Sequence, residues 1–501
     1  MGKLKYVVLS DLHLGAHSSL FTHIGPNRKA RYRTKSATLC AFAAALHETV
    51  AVLADEADPP VLVLMGDVLD LGISKTGQVA AAFLPFVDAL FPAGNTQRFA
   101  SDIVFVPGNH DHHLWRVAQD EFFMDNVTQF AARKDEYIPS PIEHTQLFRE
   151  GNPDQGTARF LRCSLLSKLI QTRDHLKGHA AKIAYPNFGL IDADHKRSVV
   201  LHHGHYVDAM YRALSRLNRW LNDADVAPQT IAQIERENGP WVDFLWSNLG
   251  STGEVAHDVR TLYATMLDAR ASHRFARMIT DRVLAQLSAS LGISADFQIP
   301  NAYGLTVRGL ISGLLDVTVG RAAESQRNGY REVLSHDEIA DLKWYIGTPL
   351  AIQMERQGMG KKERDKLTDF SFIFGHTHKP FQDQLSIAPF RRPVSIYNTG
   401  GWVMDGPTTM PCQGAAAVLI DEHLNVASLR LFNDPVNGEL EPVHAAGVGG
   451  FHDRENQLLT TLRETLVAQG NLWEAFSSAI HAAMNAQADI AHARAGMEHV
   501  A

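Results

Sequence analysis

Cysteine is scarce in this chain: Cys40, Cys163 and Cys412 are the only three in 501 residues. Such scattered thiols make neither a disulfide framework nor a zinc knuckle. A reducing compartment, the cytoplasm, is the expected location. Long apolar runs are missing too. No stretch approaches the roughly 18 consecutive apolar residues of a membrane-spanning helix. The apolar run after Lys3 and Lys5 is too short for a signal peptide and has no small-residue cleavage site. Positive charge is not in excess either. Lys and Arg number 47 against 55 Asp and Glu, a formal net charge of −8. That leaves no general electrostatic footprint for nucleic acid or an anionic membrane. Tandem repeats and low-complexity tracts are absent.

What is present is a globular composition, 45% hydrophobic and 20% charged. The length suggests roughly two to four domains. Histidine is abundant at 25, and its placement carries the argument. Residues 61–70, VLVLMGDVLD, run from an apolar stretch into Gly66 and Asp67, with Asp70 following. A short apolar run bounded by Gly reads as a buried strand. In an open α/β sheet, ligands bind at the carboxyl ends of strands. Asp67 is therefore read as a carboxylate bridging two metal ions, to which the rest of the chain brings further ligands.

Four other strand ends fit that role. Residues 3–10, KLKYVVLS, lead into Asp11-Leu12-His13. Side chains two apart on extended backbone share a side, so Asp11 and His13 are expected to hold one ion together. Residues 102–106, DIVFV, lead into Gly108-Asn109-His110-Asp111. Asn109 offers an amide oxygen to a metal or phosphate, His110 a proton or hydrogen bond, and Asp111 a carboxylate to orient that ring. Residues 197–201 lead into His202-His203-Gly204-His205, and residues 369–374 into Gly375-His376-Thr377-His378.

Between these stations, residues 36–56 read as a helix capped by Ser36. Residues 78–91 read as a helix kinked or broken at Pro85, and residues 112–133 and 157–174 as further helices. Pro186 interrupts residues 182–191, which suggests an edge strand or a turn. Residues 25–35 form a basic loop carrying Arg28, Lys29, Arg31, Arg33 and Lys35. It is either solvated charge or a grip on an anionic substrate. Residues 206–368 start with long helical spacing, read as a helical insertion, and end in a flexible basic linker at 358–364. Residues 414–421 and 424–432 read as a hairpin completing a second sheet. The expected division is 1–205 and 369–435 for the core, 206–368 for the insertion, and 436–501 for a C-terminal helical extension. The last packs on the core or makes a homo-oligomer.

Together the stations supply imidazole, carboxylate and amide oxygen without thiolate, a mixture suited to Mn, Fe or Zn. There are more ligands than one tetrahedral ion needs. Two ions about 3.5–4 Å apart can drive an in-line displacement at phosphorus.

With its five motifs in order, the chain resembles the calcineurin-like metallophosphoesterase family, from the first strand to about residue 432. The resemblance implies an α/β (α+β) four-layer fold: two packed mixed β-sheets flanked by helices, here with a large helical insertion. It implies that Asp11, His13, Asp67 and His378 hold one divalent ion, and Asp67, Asn109, His203 and His376 the other. Mn is the first choice, then Fe or Zn. His110 would lie near the leaving-group or a phosphoryl oxygen with Asp111 orienting it, and Asp70 and His205 behind the ligands or facing substrate. A hydroxide would attack phosphorus directly, with no covalent phosphoenzyme. Residues 10–15 and the closing Gly-His-Thr-His look like the bacterial-type branch. That branch includes nucleotide pyrophosphatases of lipid A synthesis, cyclic-nucleotide phosphodiesterases and nucleases of double-strand-break repair. The implied activity is a phosphodiesterase or nucleotide pyrophosphatase acting on a nucleotide or nucleotide-lipid substrate. A nuclease is the alternative, disfavoured by the acidic charge. A non-catalytic scaffold on the same fold is the alternative from another class.

Overall fold

The computed structural model describes residues 2–131, 142–148, 158–207, 228–243, 333–404, 412–433 and 441–498, less 73, 95 and 96, together with residue 211 and isolated positions between 294 and 309. Within the helical insertion expected over 206–368, residues 255–291 lie outside them, as do most of residues 304–346. Of the latter, His336–Tyr345 is a helix. The chain forms two compact units. One comprises residues 1–205, 228–251 and 343–501, the other residues 206–227 and 252–342. The first contains every element labelled below.

The apolar runs pair as expected of buried parallel strands. β1 (Leu4–Leu9) leads to a small hairpin of β2 (Thr22–Ile24) and β3 (Ala30–Lys35), then to α1 (Ala37–Leu53). Ser36 caps α1 by accepting the Leu39 amide at 3.1 Å. β4 (Val61–Leu64), α2 (Thr76–Leu90), β5 (Asp102–Phe105) and α3 (His113–Ala131) follow. β6 (Leu161–Arg162), α4 (Ser164–Ile170) and β7 (Ala180–Ile183) complete this half. Next come β8 (Asn187–Ile191), β9 (Arg197–His202) and α5 (Ile231–Val242). β10 (Asp369–Phe374), β11 (Phe381–Leu385), β12 (Val394–Asn398), β13 (Gly414–Asp421), β14 (Val426–Asn433) and β15 (His444–Ala446) precede the C-terminal α6 (Gln457–Ala468) and α7 (Gly470–Glu498).

One sheet has the order β15-β14-β13-β1-β4-β5-β7-β6, the other β11-β12-β10-β9-β8. Val8, Val63, Val104 and Val418 of the first meet Phe188, Val199, Leu201 and Ile373 of the second in a shared core. The other face of the first sheet is covered by α1, α2 and the C-terminal helices through Phe42, Phe83, Phe86, Leu459, Phe476 and Ile480. The C-terminal helices thus pack on the core of their own chain.

Several expectations are corrected. The hairpin β13–β14 belongs to the first sheet, because β13 pairs antiparallel with β1. Every residue of β13 is buried, so it needs a strand on each side. The basic loop is the β2–β3 hairpin. Its strand character is masked by charge, with Tyr32 packed on the core while Arg31 and Arg33 are exposed. Residues 182–191 divide between β7 and β8 in different sheets, with Pro186 in the crossing. The helix expected over 157–174 shrinks to α4 because β6 precedes it. α2 runs through Pro85 without a break. The linker at 358–364 contains a helical turn, Lys361–Arg364. The buried Arg364 there donates to the carbonyls of Ala351 and Met359 at 3.0 and 3.1 Å.

Candidate metal centre

The five stations stand at the carboxyl ends of β1, β4 and β5 in one sheet and β9 and β10 in the other. Within each sheet these strands are parallel neighbours, so their ends align. The loops beyond them interlock. The amides of Asp11 and His13 donate to the carbonyls of Gly66 and Asp67 at 2.9 and 2.8 Å, and the Gly375 amide donates to the His203 carbonyl at 2.8 Å.

The backbone there is unusual. Asp11, His13, Asp67, His376 and His378 have φ of 52°, 46°, 48°, 69° and 56°. L-residues seldom adopt this left-handed region, and its concentration here marks strain held at a functional site. This corrects the expectation of extended backbone through Asp11-Leu12-His13. At the stations after β1, β4 and β10 these left-handed residues turn the chain back and aim the ligand side chains inward. Glycine makes room for them. A Cβ on Gly66 would collide with the His203 ring, one on Gly108 with the Asp67 carboxylate, and one on Gly375 with that of Asp11. Gly66 also has a φ of +80°, which glycine adopts without a Cβ penalty.

Three clusters of ligand-type atoms result, with the atoms in each within 4.8 Å of one another: a first of Asp11, His13 and His378, a second of Asp67, His203 and His376, and a third of His13, Asp70 and His110. In the first, His378 Nε2 lies 3.2 Å from His13 Nε2 and 3.5 Å from Asp11 Oδ1. In the second, Asn109 Oδ1 lies 3.0 Å from both His203 Nε2 and His376 Nδ1. Asp67 faces both of these: its Oδ2 is 3.3 Å from His203 Nε2 and 3.8 Å from His13 Nε2.

Around these atoms lies a buried polar layer. Asp70 binds His110 Nδ1 through Oδ1 at 3.1 Å and His13 Nδ1 through Oδ2 at 3.3 Å. The carboxylate aligned on His110 is thus Asp70. Asp111, to which that task was assigned from sequence, instead accepts the amides of Gly108, Val68 and Leu69 at 2.7, 2.8 and 3.2 Å. The reason is geometric: the loop folds over its own next carboxylate and ties itself to the Asp67 loop. His205 is buried with its ring centroid 5.8 Å from that of His203, and burial holds it well below the usual imidazole range.

Burial opposes charge on Asp67, His110 and His203, yet these groups compensate one another. Burial pushes Asp67 up, but His203 and His110 outweigh it and hold the carboxyl well below its usual range. Burial pushes His110 and His203 down, but carboxylates, Asp67 foremost, raise each to about 9. Burial and then Asp67 push Asp111 up to about 7. The carboxylates call for positive charge, and divalent cations can supply it in place of protons on the imidazoles. The donor set, with no thiolate and a carboxylate oxygen aimed at the first and second clusters, fits a pair of hard or borderline ions.

Arg28, Arg31 and Arg33 are not among the ligands. They sit on the β2–β3 hairpin, and a groove of about 360 Å³ runs between Arg31, Tyr32 and Arg33 and the first turns of α2 at Gly77 and Gln78. α2 begins beside the metal-ligand loops, where the Ser74 hydroxyl donates to the Gly15 carbonyl at 2.8 Å. Sequence reasoning missed the support behind Asp11. Ser10 bonds the Asp11 carboxylate and the Thr399 hydroxyl. Asn398 Nδ2 donates to the Gly375 carbonyl at 3.0 Å. The polar end of β12, Asn398-Thr399-Gly400-Gly401, was the available signal.

A family model described as calcineurin-like phosphoesterase matches residues 4–258. No curated protein matches the chain.

Proposed function

The chain belongs to the calcineurin-like phosphoesterase family and is a metal-dependent phosphoester hydrolase; from that premise we propose that it cleaves phosphodiester or pyrophosphate bonds of nucleotide-type substrates. Asp11, His13, Asp67 and His378 would hold one divalent ion, and Asp67, Asn109, His203 and His376 the other. Once bound, such a pair activates water and withdraws charge from phosphoryl oxygens. The observation that carries this reading is the Asp67 oxygen aimed at the first and second clusters, at 3.3 Å from His203 and 3.8 Å from His13. Mn is the proposed metal, with Fe or Zn next.

The side chains divide the rest of the work. Asp70 holds the His110 ring by Nδ1, which directs Nε2 as the atom that gives a proton to the departing oxygen. Asp111 fixes the loop carrying Asn109 and His110. His205 backs His203. Arg31 and Arg33 flank the groove on β3 and suit a second anionic group through paired N–H donors. A second phosphate favours a nucleotide over a phosphoprotein.

A screen of nucleotides, cyclic nucleotides, nucleotide-lipids and single-stranded DNA with the Mn-loaded chain tests the proposal. Turnover of nucleotide diesters or pyrophosphates above the others is expected. Exclusive turnover of monoesters, or of single-stranded DNA, would overturn it.

A further inference from the structure

Behind Asn109 and His110 lies a buried hydrogen-bond chain that the chemistry above does not use. His112 follows Asp111 and is 1% exposed. Its Nε2 lies 3.0 Å from the Tyr185 hydroxyl, and that hydroxyl donates to Glu235 Oε2 at 2.6 Å. Tyr185 is 0% and Glu235 8% exposed. On the other side of the imidazole, Nδ1 lies 3.8 Å from Asp243 Oδ1, and His113 Nδ1 lies 3.4 Å from the same oxygen. Glu235 is on α5 and Asp243 just beyond its end. Tyr185 is in the crossing between β7 and β8. Its ring stacks on Trp115 of α3, with centroids 4.7 Å apart. Segments distant in sequence therefore converge on the residue that follows the Gly-Asn-His-Asp motif.

A hydroxyl has one proton. While Tyr185 donates to Glu235, its oxygen is left to accept from the His112 tautomer that carries its proton on Nε2. One hydrogen bond thus sets the direction of the next and fixes the plane of the His112 ring. Asp111 already pins the front of this loop through three backbone amides. We propose that Tyr185 is a positioning residue that ties the loop of Asn109 and His110, through His112, to Glu235 on α5. Removing such a support should lower turnover by about tenfold or more, because a small displacement of a reacting group is costly. The proposal rests on the roles given above to Asn109 and His110.

Tyr185→Phe removes the hydroxyl and keeps the ring stacked on Trp115. With bis-p-nitrophenyl phosphate and Mn, kcat should fall at least about tenfold, while KM and metal content per chain stay unchanged. Glu235→Gln, which still accepts the Tyr185 bond, should keep the wild-type kcat. Glu235→Leu should reproduce the Tyr185→Phe loss. A purely structural role would lower the Tm of Tyr185→Phe but leave kcat per folded chain intact, and that result overturns the proposal. If Tyr185→Phe does not fold, equal kcat for Glu235→Gln and Glu235→Leu overturns it. His110→Ala separates the two levels. Full activity in that variant defeats the reading of the site, whereas its collapse beside an unaffected Tyr185→Phe defeats only the positioning role.

Discussion

Asp67 shows how position aims a single side chain. Its left-handed backbone and the glycines beside it bring one carboxylate oxygen between two histidine-rich clusters. Gly66→Ala should place a methyl group against His203 and force a positive φ on an L-residue. We expect a stability loss of roughly 1–3 kcal/mol and weaker metal binding at Asp67, His203 and His376. Thermal unfolding and elemental analysis would show both, and an unchanged Tm would refute the packing argument. His110→Ala should reduce turnover of bis-p-nitrophenyl phosphate by about 10²–10⁴-fold with metal content retained. Loss of metal would place His110 among the ligands instead. At this scale the residue types were legible, since carboxylates, imidazoles and an amide at strand ends have few other uses. The left-handed turns were not, nor was the division of labour between Asp70 and Asp111. Both depend on how loops from different strands interlock, which no local pattern records.

Among the elements, the strands β1, β4, β5, β9 and β10 were readable as apolar runs ending in polar residues. The β2–β3 hairpin was hidden because its exposed face carries charge, and β13 was assigned to the wrong sheet because pairing partners are not encoded locally. The hairpin yields a direct test. The triple variant Arg28→Ala, Arg31→Ala, Arg33→Ala should raise KM for an anionic substrate about tenfold with metal content unchanged. Normal kinetics would leave only a solvated hairpin. α7 has a different part. Phe476 is fully buried, with ring centroids 6.0 Å from Phe42 and 6.2 Å from Trp402, and Gln487 donates to the His17 carbonyl at 2.6 Å. Phe476→Ala should cost about 3–5 kcal/mol, measured by urea unfolding. A loss below about 1 kcal/mol would mean that the helix is an appendage.

For the molecule as a whole, the family match ends at residue 258, before His376 and His378 complete the first and second clusters. The site is thus assembled from segments on both sides of residues 206–342, and only the motif order in the sequence pointed to it. No helix among the described residues is long and apolar enough to cross a membrane. Global stability carries a mark of the buried Glu235, which burial pushes up from 4.5 to about 8, against the Tyr185 hydrogen bond and with help from Glu143. Between those values the folded chain holds a proton that the unfolded chain has released, so stability falls as pH rises through the window. Glu235→Gln should therefore have a Tm roughly 5 °C above wild type near pH 8.5, with the gap closing below about pH 5. A gap that does not change with pH would contradict this. The central claim, that Asp67 joins two metal ions, is tested most directly by elemental analysis of Mn-loaded wild type, Asp67→Asn and Asn109→Ala. The account predicts two ions per chain in wild type, loss at both positions in Asp67→Asn, and weakening of mainly one in Asn109→Ala. Two tightly held ions in Asp67→Asn would contradict it.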